Sequence, residues 1–186
     1  TFKILASYSA ALDAGGLTLA SVQDDAPYTY AGANGKSVSN YDKRYRGFTT
    51  LREAITDSIN IVTVKTLAQV GVSLGWQYVQ EYGFTTVDSR DMNEALALGG
   101  ITQGVSNLEL TAAYAAIANQ GTYIKPKFYT KILDHDGNVL IDNTTPESHT
   151  VIKDTTAWLL TSAMEDVMTS GTGTSAYFGS SMAQAG

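Results

Sequence analysis

The sequence predicts a mostly helical chain with one β-hairpin, in which the strands are too few to form a full sheet by themselves. Three observations carry this prediction. Apolar residues recur at helical spacing in several segments, two Ser/Thr-x-x-Glu capping boxes mark helix starts, and an Asp-Gly turn separates two strand-like runs. With 44% hydrophobic and 16% charged residues in a chain of 186, the composition is that of a folded globular protein.

The first half of the chain predicts four segments: a helix over 1–12, an irregular stretch with short strand-like pieces over 16–47, a helix from 51 to about 56 and a helix over 61–70. The capping box of Thr50 and Glu53 sets the start of the third segment, because each side chain can bond the other's backbone amide. Asp57, Ser58 and Asn60 interrupt the pattern before the fourth segment with residues that are typical of turns.

The second half predicts a helix over 76–82, a helix over 107–119, a hairpin over 129–141 and a helix that begins at Asp154. Ser106 and Glu109 form the second capping box, and Asp136-Gly137 supplies the hairpin turn. Asp154 is expected to cap the last helix, which a glycine at position 171 should end.

Composition argues against several classes of function. The net charge of −6 disfavours a phosphate-binding surface, so no nucleic-acid partner is expected. Cysteine is absent, which excludes thiol nucleophiles and is compatible with an extracytoplasmic location. The two histidines, His135 and His149, lie in polar stretches, and no metal or cofactor is predicted. No apolar run approaches the roughly 18 residues of a membrane span, so a membrane anchor is expected only outside this chain.

Two short segments could carry chemistry, although each is ordinary when taken alone. A lysine near a chain start, as in Thr1-Phe2-Lys3, is usually solvated, and Ser58-Ile59-Asn60 fits a plain helix break in which Ser58 caps the next helix. If a serine preceded Thr1, it would lie one helical turn from Lys3 on the same face. A hydroxyl nucleophile would then have an amine beside it that could act as its base.

In this order the two segments resemble the transpeptidase domain of class A penicillin-binding proteins, which has a Ser-x-x-Lys helix, a Ser-x-Asn loop and a Lys-Thr-Gly strand. Three longer blocks resemble the same family in the same order: NYDKRYRGFTTLREAITDSIN, ALALGGITQGVSNLELTAAYAAIANQGTYIKP and TSGTG. Ile4 departs from the family, where Pro often follows the motif lysine. The resemblance covers residues 1–186, which we expect to be one partial domain, truncated at both ends between the motif serine and the Lys-Thr-Gly strand.

The resemblance implies an α+β fold of the penicillin-binding-protein and β-lactamase type, to which this chain would contribute mostly helices and a small hairpin. It implies a peptidoglycan D,D-transpeptidase that cross-links stem peptides through a serine acyl-enzyme and is acylated by β-lactams. Such an enzyme would act at the extracytoplasmic face of a bacterial cell membrane. The isolated chain is expected to be inactive, because the serine would precede it.

The resemblance also implies roles for individual residues. Lys3 would be the base for the serine, Ser58 would relay the proton to the leaving amine, and Asn60 would bond the substrate amide and hold Lys3 in place. Substrate contacts are expected from Tyr41, Asp42 and Thr172. The loop over 40–46, which holds the first two of these, fits a substrate groove and a solvated rim equally well.

Three alternatives remain open from the sequence. A D,D-carboxypeptidase and a β-lactam sensor share the same short motifs, and a non-catalytic fragment that only binds peptidoglycan would need none of the chemistry. Trp76 and Trp158 lie on apolar helix faces, and we expect both in the core rather than at a ligand.

Overall fold

The computed structural model describes residues 2–31, 36–179 and 182–186. Thr1, which the sequence places in the first helix, lies outside the described residues. The helices are α1 (Lys3–Tyr8, continuing as Ser9–Asp13), α2 (Leu51–Thr56), α3 (Asn60–Val70), α4 (Val72–Glu81), α5 (Asn107–Ala118) and α6 (Asp154–Thr169). Short 3₁₀ turns cover Ser89–Asp91, Glu94–Leu98 and Thr174–Ala176. The predicted helices are confirmed, and α4 starts four positions earlier than expected.

Short strands pair in twos between these helices. They are β1 (Val22–Asp25), β2 (Tyr28–Thr29), β3 (Ser37–Val38), β4 (Gly47–Thr50), β5 (Thr122–Ile124), β6 (Lys131–Leu133), β7 (Val139–Asp142) and β8 (Ser148–Thr150). The pairs β1–β4, β2–β3, β5–β8 and β6–β7 are all antiparallel. The β6–β7 pair is the predicted hairpin, turned at Gly137 with a φ of 85°. The β1–β4 and β5–β8 pairs join segments more than 20 positions apart. Because β1, β2 and β3 all form within it, the stretch over 16–47 is less irregular than predicted.

Both predicted capping boxes are present. The Thr50 side chain accepts from the Glu53 amide while the Glu53 carboxylate accepts from the Thr50 amide, and Ser106 and Glu109 repeat the arrangement. The expectation that Asp154 caps α6 is wrong. Lys153 occupies the cap position without a side-chain bond, and Asp154 is the first helical residue, where its negative charge still favours the helix dipole.

Helix α1 lies at the centre of the core. Leu5, Ala6 and Ala10 are fully buried, and α1 contacts α3, α4 and α6. Trp76 is partly buried against this core, and its indole N–H donates to the Asp88 carbonyl. Trp158 is 69% exposed, so its predicted core position is wrong. The inward face of α6 is taken by other apolar residues, Ala157, Leu160, Ala163, Met164 and Val167.

The described residues contain neither a helix long and apolar enough to cross a bilayer nor a group of three or more metal-ligating side chains. The fold instead brings the start of α1, the break between α2 and α3, and the turn after α6 to one region of the surface. Two adjoining cavities open there.

Candidate active site

Lys3 opens helix α1 in a widened segment with π-type geometry. The Ser9 amide donates to the Ile4 carbonyl five positions earlier, and the Ser9 hydroxyl donates to the same oxygen at 2.9 Å. Such widened turns recur at functional sites, because they change the direction in which nearby side chains leave the helix. Ile4 and Leu5 are buried, so the half-buried Lys3 leaves the helix beside the core.

The Lys3 amine bonds Ser58 across the site. Its Nζ donates to Ser58 Oγ at 2.8 Å and to the Ser58 carbonyl at 2.5 Å. Burial away from water disfavours the ammonium form and lowers the pKa of Lys3 from 10.5 to about 8. With that pKa, about a tenth of Lys3 is neutral at pH 7 and able to accept a proton.

Ser58 lies in the break between α2 and α3 with a φ of 54°, in the left-handed region that residues with a Cβ seldom occupy. Its neighbour Ile59 is the N-cap residue of α3 and supplies no side-chain cap. The alternative in which Ser58 merely caps α3 is therefore wrong, because the Ser58 hydroxyl bonds Lys3. A left-handed serine at an interaction site is a form of local strain that the surrounding structure must hold in place.

Buried polar contacts fasten this break to α1. The Thr63 hydroxyl donates to the Ile59 carbonyl at 2.6 Å, and the Tyr8 hydroxyl donates to Thr63 Oγ1 at 2.9 Å. Ile59 is itself buried, and its amide donates to the Ala54 carbonyl at 2.9 Å. Burial raises the pKa of Tyr8, so the phenol keeps the proton that it donates. The backbone on the C-terminal side of Ser58 is thus fixed from both helices.

Two cavities meet at Ser58 and Thr172, which line both. The larger, of about 570 Å³, is lined by Asn40, Tyr41, Asp42, Arg46, Asp57, Ser58, Ile59, Asn60 and Thr172. The smaller, of about 120 Å³, is lined by Lys3, Ile4, Ile55, Ser58, Tyr114, Val167, Thr172 and Gly186. Five of the six residues singled out from the sequence therefore line the larger cavity, and Lys3 reaches Ser58 from the smaller one.

The loop over 40–46 forms one wall of the larger cavity. Tyr41 is 98% exposed at its rim. Arg46 contacts two carboxylates of the wall, Asp42 at 2.9 Å and Asp57 at 3.8 Å. A hydrogen bond from the Arg44 amide, with help from Arg46, lowers the pKa of Asp42. The wall therefore presents paired charges and the exposed ring of Tyr41.

Thr172 reaches the site because the turn after α6 packs closely on the end of α2. The Thr172 amide donates to the Thr56 carbonyl at 3.2 Å. A Cβ on the preceding Gly171 would lie 2.2 Å from that same oxygen, closer than any side chain can approach. The absence of a side chain at Gly171 therefore allows the close packing that brings Thr172 next to Ser58.

The hydrogen bonds of Asn60 run to Ser39 and Asn40, where the loop over 40–46 begins, rather than to Lys3. Its side-chain amide donates to the Ser39 carbonyl at 2.9 Å, and its backbone amide donates to Asn40 Oδ1 at 3.1 Å. The hydrogen bonds of Lys3 run to Ser58, which corrects the expectation that Asn60 holds Lys3 in place. As the first residue of α3, Asn60 bonds Ser39 and Asn40 and also lines the larger cavity.

Asn40 and Asp25 hold this wall in place, and neither was expected at the site from the sequence. Asn40, named only as the start of the loop, is 4% exposed and bonds both α3 and the fully buried Asp25. Both contacts join residues 15 or more positions apart. A single sequence carries no local pattern that would reveal them.

An amine held against a serine hydroxyl at an open cavity, without histidine, is the arrangement of the serine–lysine class of acyl-transfer enzymes. The family model of the penicillin binding protein transpeptidase domain matches residues 1–185. The chain belongs to this family, and the predicted resemblance to the class A penicillin-binding proteins is confirmed.

Individual relatives agree with this assignment. The chain is 38% identical over 175 residues to penicillin-binding protein 1F of Bacillus subtilis, covering 94% of this chain and 24% of that protein. It thus spans about a quarter of the length of this relative.

Solved structures share the fold. The D,D-transpeptidase domain of a peptidoglycan glycosyltransferase from Eggerthella lenta superposes with a TM-score of 0.80 at 22% identity, covering 100% of this chain and 51% of that one. The PonA1 protein of Mycobacterium tuberculosis in complex with penicillin V gives 0.76 at 23% identity, covering 90% and 46%. The expected penicillin-binding-protein fold is confirmed, and this chain matches about half of each structure.

Proposed function

We propose that the full-length protein containing this chain is a peptidoglycan D,D-transpeptidase that works through a serine acyl-enzyme. The observation that carries the proposal is the Lys3 amine, 2.8 Å from Ser58 Oγ at the junction of two cavities, with a pKa lowered to about 8. A neutral amine at physiological pH is the base that a serine hydroxyl needs where no histidine serves.

The domain boundaries belong to the same proposal. The chain would be the part of the transpeptidase domain between the motif serine and the Lys-Thr-Gly strand, which agrees with its match to about half of the related domain structure. Gly186 lines the smaller cavity together with Lys3, and its amide donates to the Met164 carbonyl at 3.1 Å. A strand that follows Gly186 would therefore start beside the Lys3 amine.

The chemistry follows from these positions. The motif serine would lie one helical turn before Lys3 on the same face of α1, and Lys3 would take its proton as the serine oxygen attacks the penultimate D-Ala carbonyl. The peptide C–N bond then breaks, and Ser58, bonded to Lys3, passes the proton to the departing amine of the terminal D-Ala. In the second half, an acceptor amine attacks the ester, loses its proton along the same path and releases the serine.

Substrate contacts are assigned to the larger cavity. Its volume of about 570 Å³ lies within the roughly 300–1,000 Å³ typical of ligand sites. Asn60 would bond the substrate amide, and Tyr41, Asp42 and Thr172 would line the path of the stem peptide. β-Lactams would enter the same cavity, which agrees with the penicillin V complex of the related PonA1 structure. A peptidoglycan substrate would put the reaction at the extracytoplasmic face of the bacterial membrane.

Labelling with a fluorescent penicillin tests the proposal. The full-length protein should form a covalent adduct on the serine three positions before Lys3, and the isolated 186-residue chain should form none. Mass spectrometry identifies the modified residue. Labelling of the isolated chain at a single serine would overturn the assignment of the nucleophile. Incubation of the full-length protein with a stem peptide and an acceptor amine should yield the cross-linked product, and hydrolysed peptide alone would indicate a carboxypeptidase.

A matched pair of lysine variants tests the base. In the full-length protein, Lys3→Ala should slow acylation by roughly 10²–10⁴-fold, the usual contribution of general-base catalysis. Lys65→Ala should leave acylation nearly unchanged, because Lys65 Nζ donates to the Asp24 carbonyl at 2.7 Å and lies over the Tyr28 ring. Equal acylation rates for the two variants would remove Lys3 from the mechanism.

A further inference from the structure

Helix α3 is capped by a residue outside its own segment. The first amides of a helix have no partner within it, and its N-cap residue Ile59 has no polar side chain to serve them. The side-chain oxygen of Asn40, twenty positions away, accepts from the Asn60 amide at 3.1 Å and from the Ile61 amide at 3.2 Å. Asn40 therefore supplies the cap that the local sequence lacks.

A buried carboxylate fixes the direction of this cap. Asn40 Nδ2 donates to both oxygens of Asp25, at 2.8 and 3.0 Å, and to the Arg44 carbonyl at 2.8 Å. Asp25 is fully buried and also accepts from the Arg46 amide at 2.9 Å. Because a carboxylate only accepts, the amide nitrogen of Asn40 must face Asp25 and its oxygen must face α3.

The start of α3 determines where Ser58 points. Ser58 is held at a φ of 54° immediately before Ile59, and both its carbonyl and its hydroxyl face Lys3. A residue in the left-handed region relaxes when one of its flanks is released. If α3 lost its first turn, Ser58 could return to an ordinary conformation and would turn its two oxygens away from Lys3.

We propose that Asn40 is a positioning residue for the acyl-transfer site, which holds Ser58 against Lys3 by capping α3, and that Asp25 orients Asn40 for this purpose. The expected effect on acylation rests on the proposed function, whereas the position of Ser58 against Lys3 does not. The same residue anchors the loop that carries Tyr41 and Asp42, so one side chain sets both the Ser58 end and the loop wall of the larger cavity.

Four variants of the full-length protein test the proposal: Asn40→Ala, Asn40→Asp, Asp25→Asn and the double exchange of the last two. Asn40→Ala removes the cap, and Asn40→Asp sets two carboxylates against each other. The double exchange restores a complementary pair between positions 25 and 40, because a carboxylate at 40 can accept from α3 while an amide at 25 donates to it, but it does not restore the bond from position 40 to the Arg44 carbonyl. Asn93→Ala is the matched control, since Asn93 Oδ1 accepts from the Ala95 amide at the start of another helical turn.

Two measurements are made on each variant below its melting temperature. NMR titration of the Lys3 side chain should give a midpoint near pH 8 in the wild type and in Asn93→Ala, and a higher one in the Asn40 single variants, as water reaches the amine. Stopped-flow acylation by penicillin should slow at least about tenfold in the same single variants, which is about 1.4 kcal/mol of barrier. The double exchange should recover part of both properties and exceed Asn40→Asp in each, because the two variants share the lost bond to the Arg44 carbonyl and differ only at position 25.

The outcomes separate the two proposals. A lower melting temperature in Asn40→Ala, with the Lys3 midpoint and acylation unchanged, would overturn the positioning role and leave a purely structural cap. Failure of the double exchange to recover more than Asn40→Asp would overturn the part assigned to Asp25. If penicillin acylates no form of the protein, the proposed function fails, and the Lys3 midpoint still decides whether Asn40 holds Ser58 in place.

Discussion

Acylation by penicillin should depend on pH through Lys3, and the size of this dependence follows from the burial of its amine. Only the neutral amine can accept the proton of the motif serine. At pH 7 a pKa of about 8 leaves about a tenth of Lys3 neutral, whereas the ordinary value of 10.5 would leave about 0.03%. Burial beside Ser58 thus multiplies the neutral fraction by about 300.

The same burial predicts the pH dependence of stability. Below about pH 8 both the folded and the unfolded protein carry the proton on Lys3, and the buried charge lowers the free energy of unfolding by a constant amount. Between about pH 8 and 10.5 the folded protein has lost a proton that the unfolded chain still binds. The free energy of unfolding should therefore rise with pH across this window, relative to Lys3→Met.

Stopped-flow acylation and urea unfolding, each from about pH 6 to about pH 9.5, measure the two effects on the same preparations. Acylation should increase about tenfold for each pH unit well below the midpoint and level off above about pH 8. The Lys3→Met variant of the full-length protein should lose acylation. Its free energy of unfolding should lack the rise between about pH 8 and 10.5 that the Lys3 amine contributes in the wild type. A rate that is flat from pH 6 upward in the wild type, or a Lys3→Met variant with the same profile, would refute the assignment of Lys3 as the base.

Three further predictions concern Ser58, the turn after α6 and an exposed helix face. Ser58→Ala and Asn60→Ala should each slow acylation of the full-length protein at least about tenfold with a small change in melting temperature, and a lower melting temperature with unchanged acylation would contradict both roles. Gly171→Ala should lower the free energy of unfolding by about 1–3 kcal/mol in urea titrations, because its methyl group would meet the Thr56 carbonyl, and an unchanged value would contradict the close packing. Trp158→Ser should change the free energy of unfolding by less than about 0.5 kcal/mol, because the side chain is exposed. A loss of about 3–5 kcal/mol, as for a buried tryptophan, would contradict the exposed position.

Features that depend on neighbours in the chain could be predicted from the sequence. Each of three such features is complete within four residues: the capping boxes at Thr50 and Ser106 and the turn at Gly137. The local sequence therefore predicts their geometry. The two local errors have an equally local cause. Asp154 is favourable both as a cap and in the first helical turn, and periodicity alone does not say which apolar stripe of α6 faces the core, which left Trp158 misassigned.

Features that depend on distant partners could not be predicted from residue order. The β1–β4 pair joins strands more than 20 positions apart, and no short turn motif between them predicts the pairing. The resemblance to a family selected Ser58, Asn60 and Lys3, but only the three-dimensional contacts show that Ser58, rather than Asn60, bonds the amine. The family resemblance thus supplied the candidate residues, whereas the contacts among them were not available from the sequence.

The distant cap bears on the role proposed for Ser58. A serine beside a helix start ordinarily turns its hydroxyl to the free amides of that helix, which is the structural alternative that the sequence left open. Here the Asn40 oxygen already accepts from the amides of Asn60 and Ile61, the first two of α3, and the Ser58 hydroxyl bonds Lys3 instead. Its hydroxyl is free to meet the Lys3 amine, and the left-handed backbone directs it there. The cap from a separate loop therefore converts an ordinary helix break into a site where a serine and a lysine face each other.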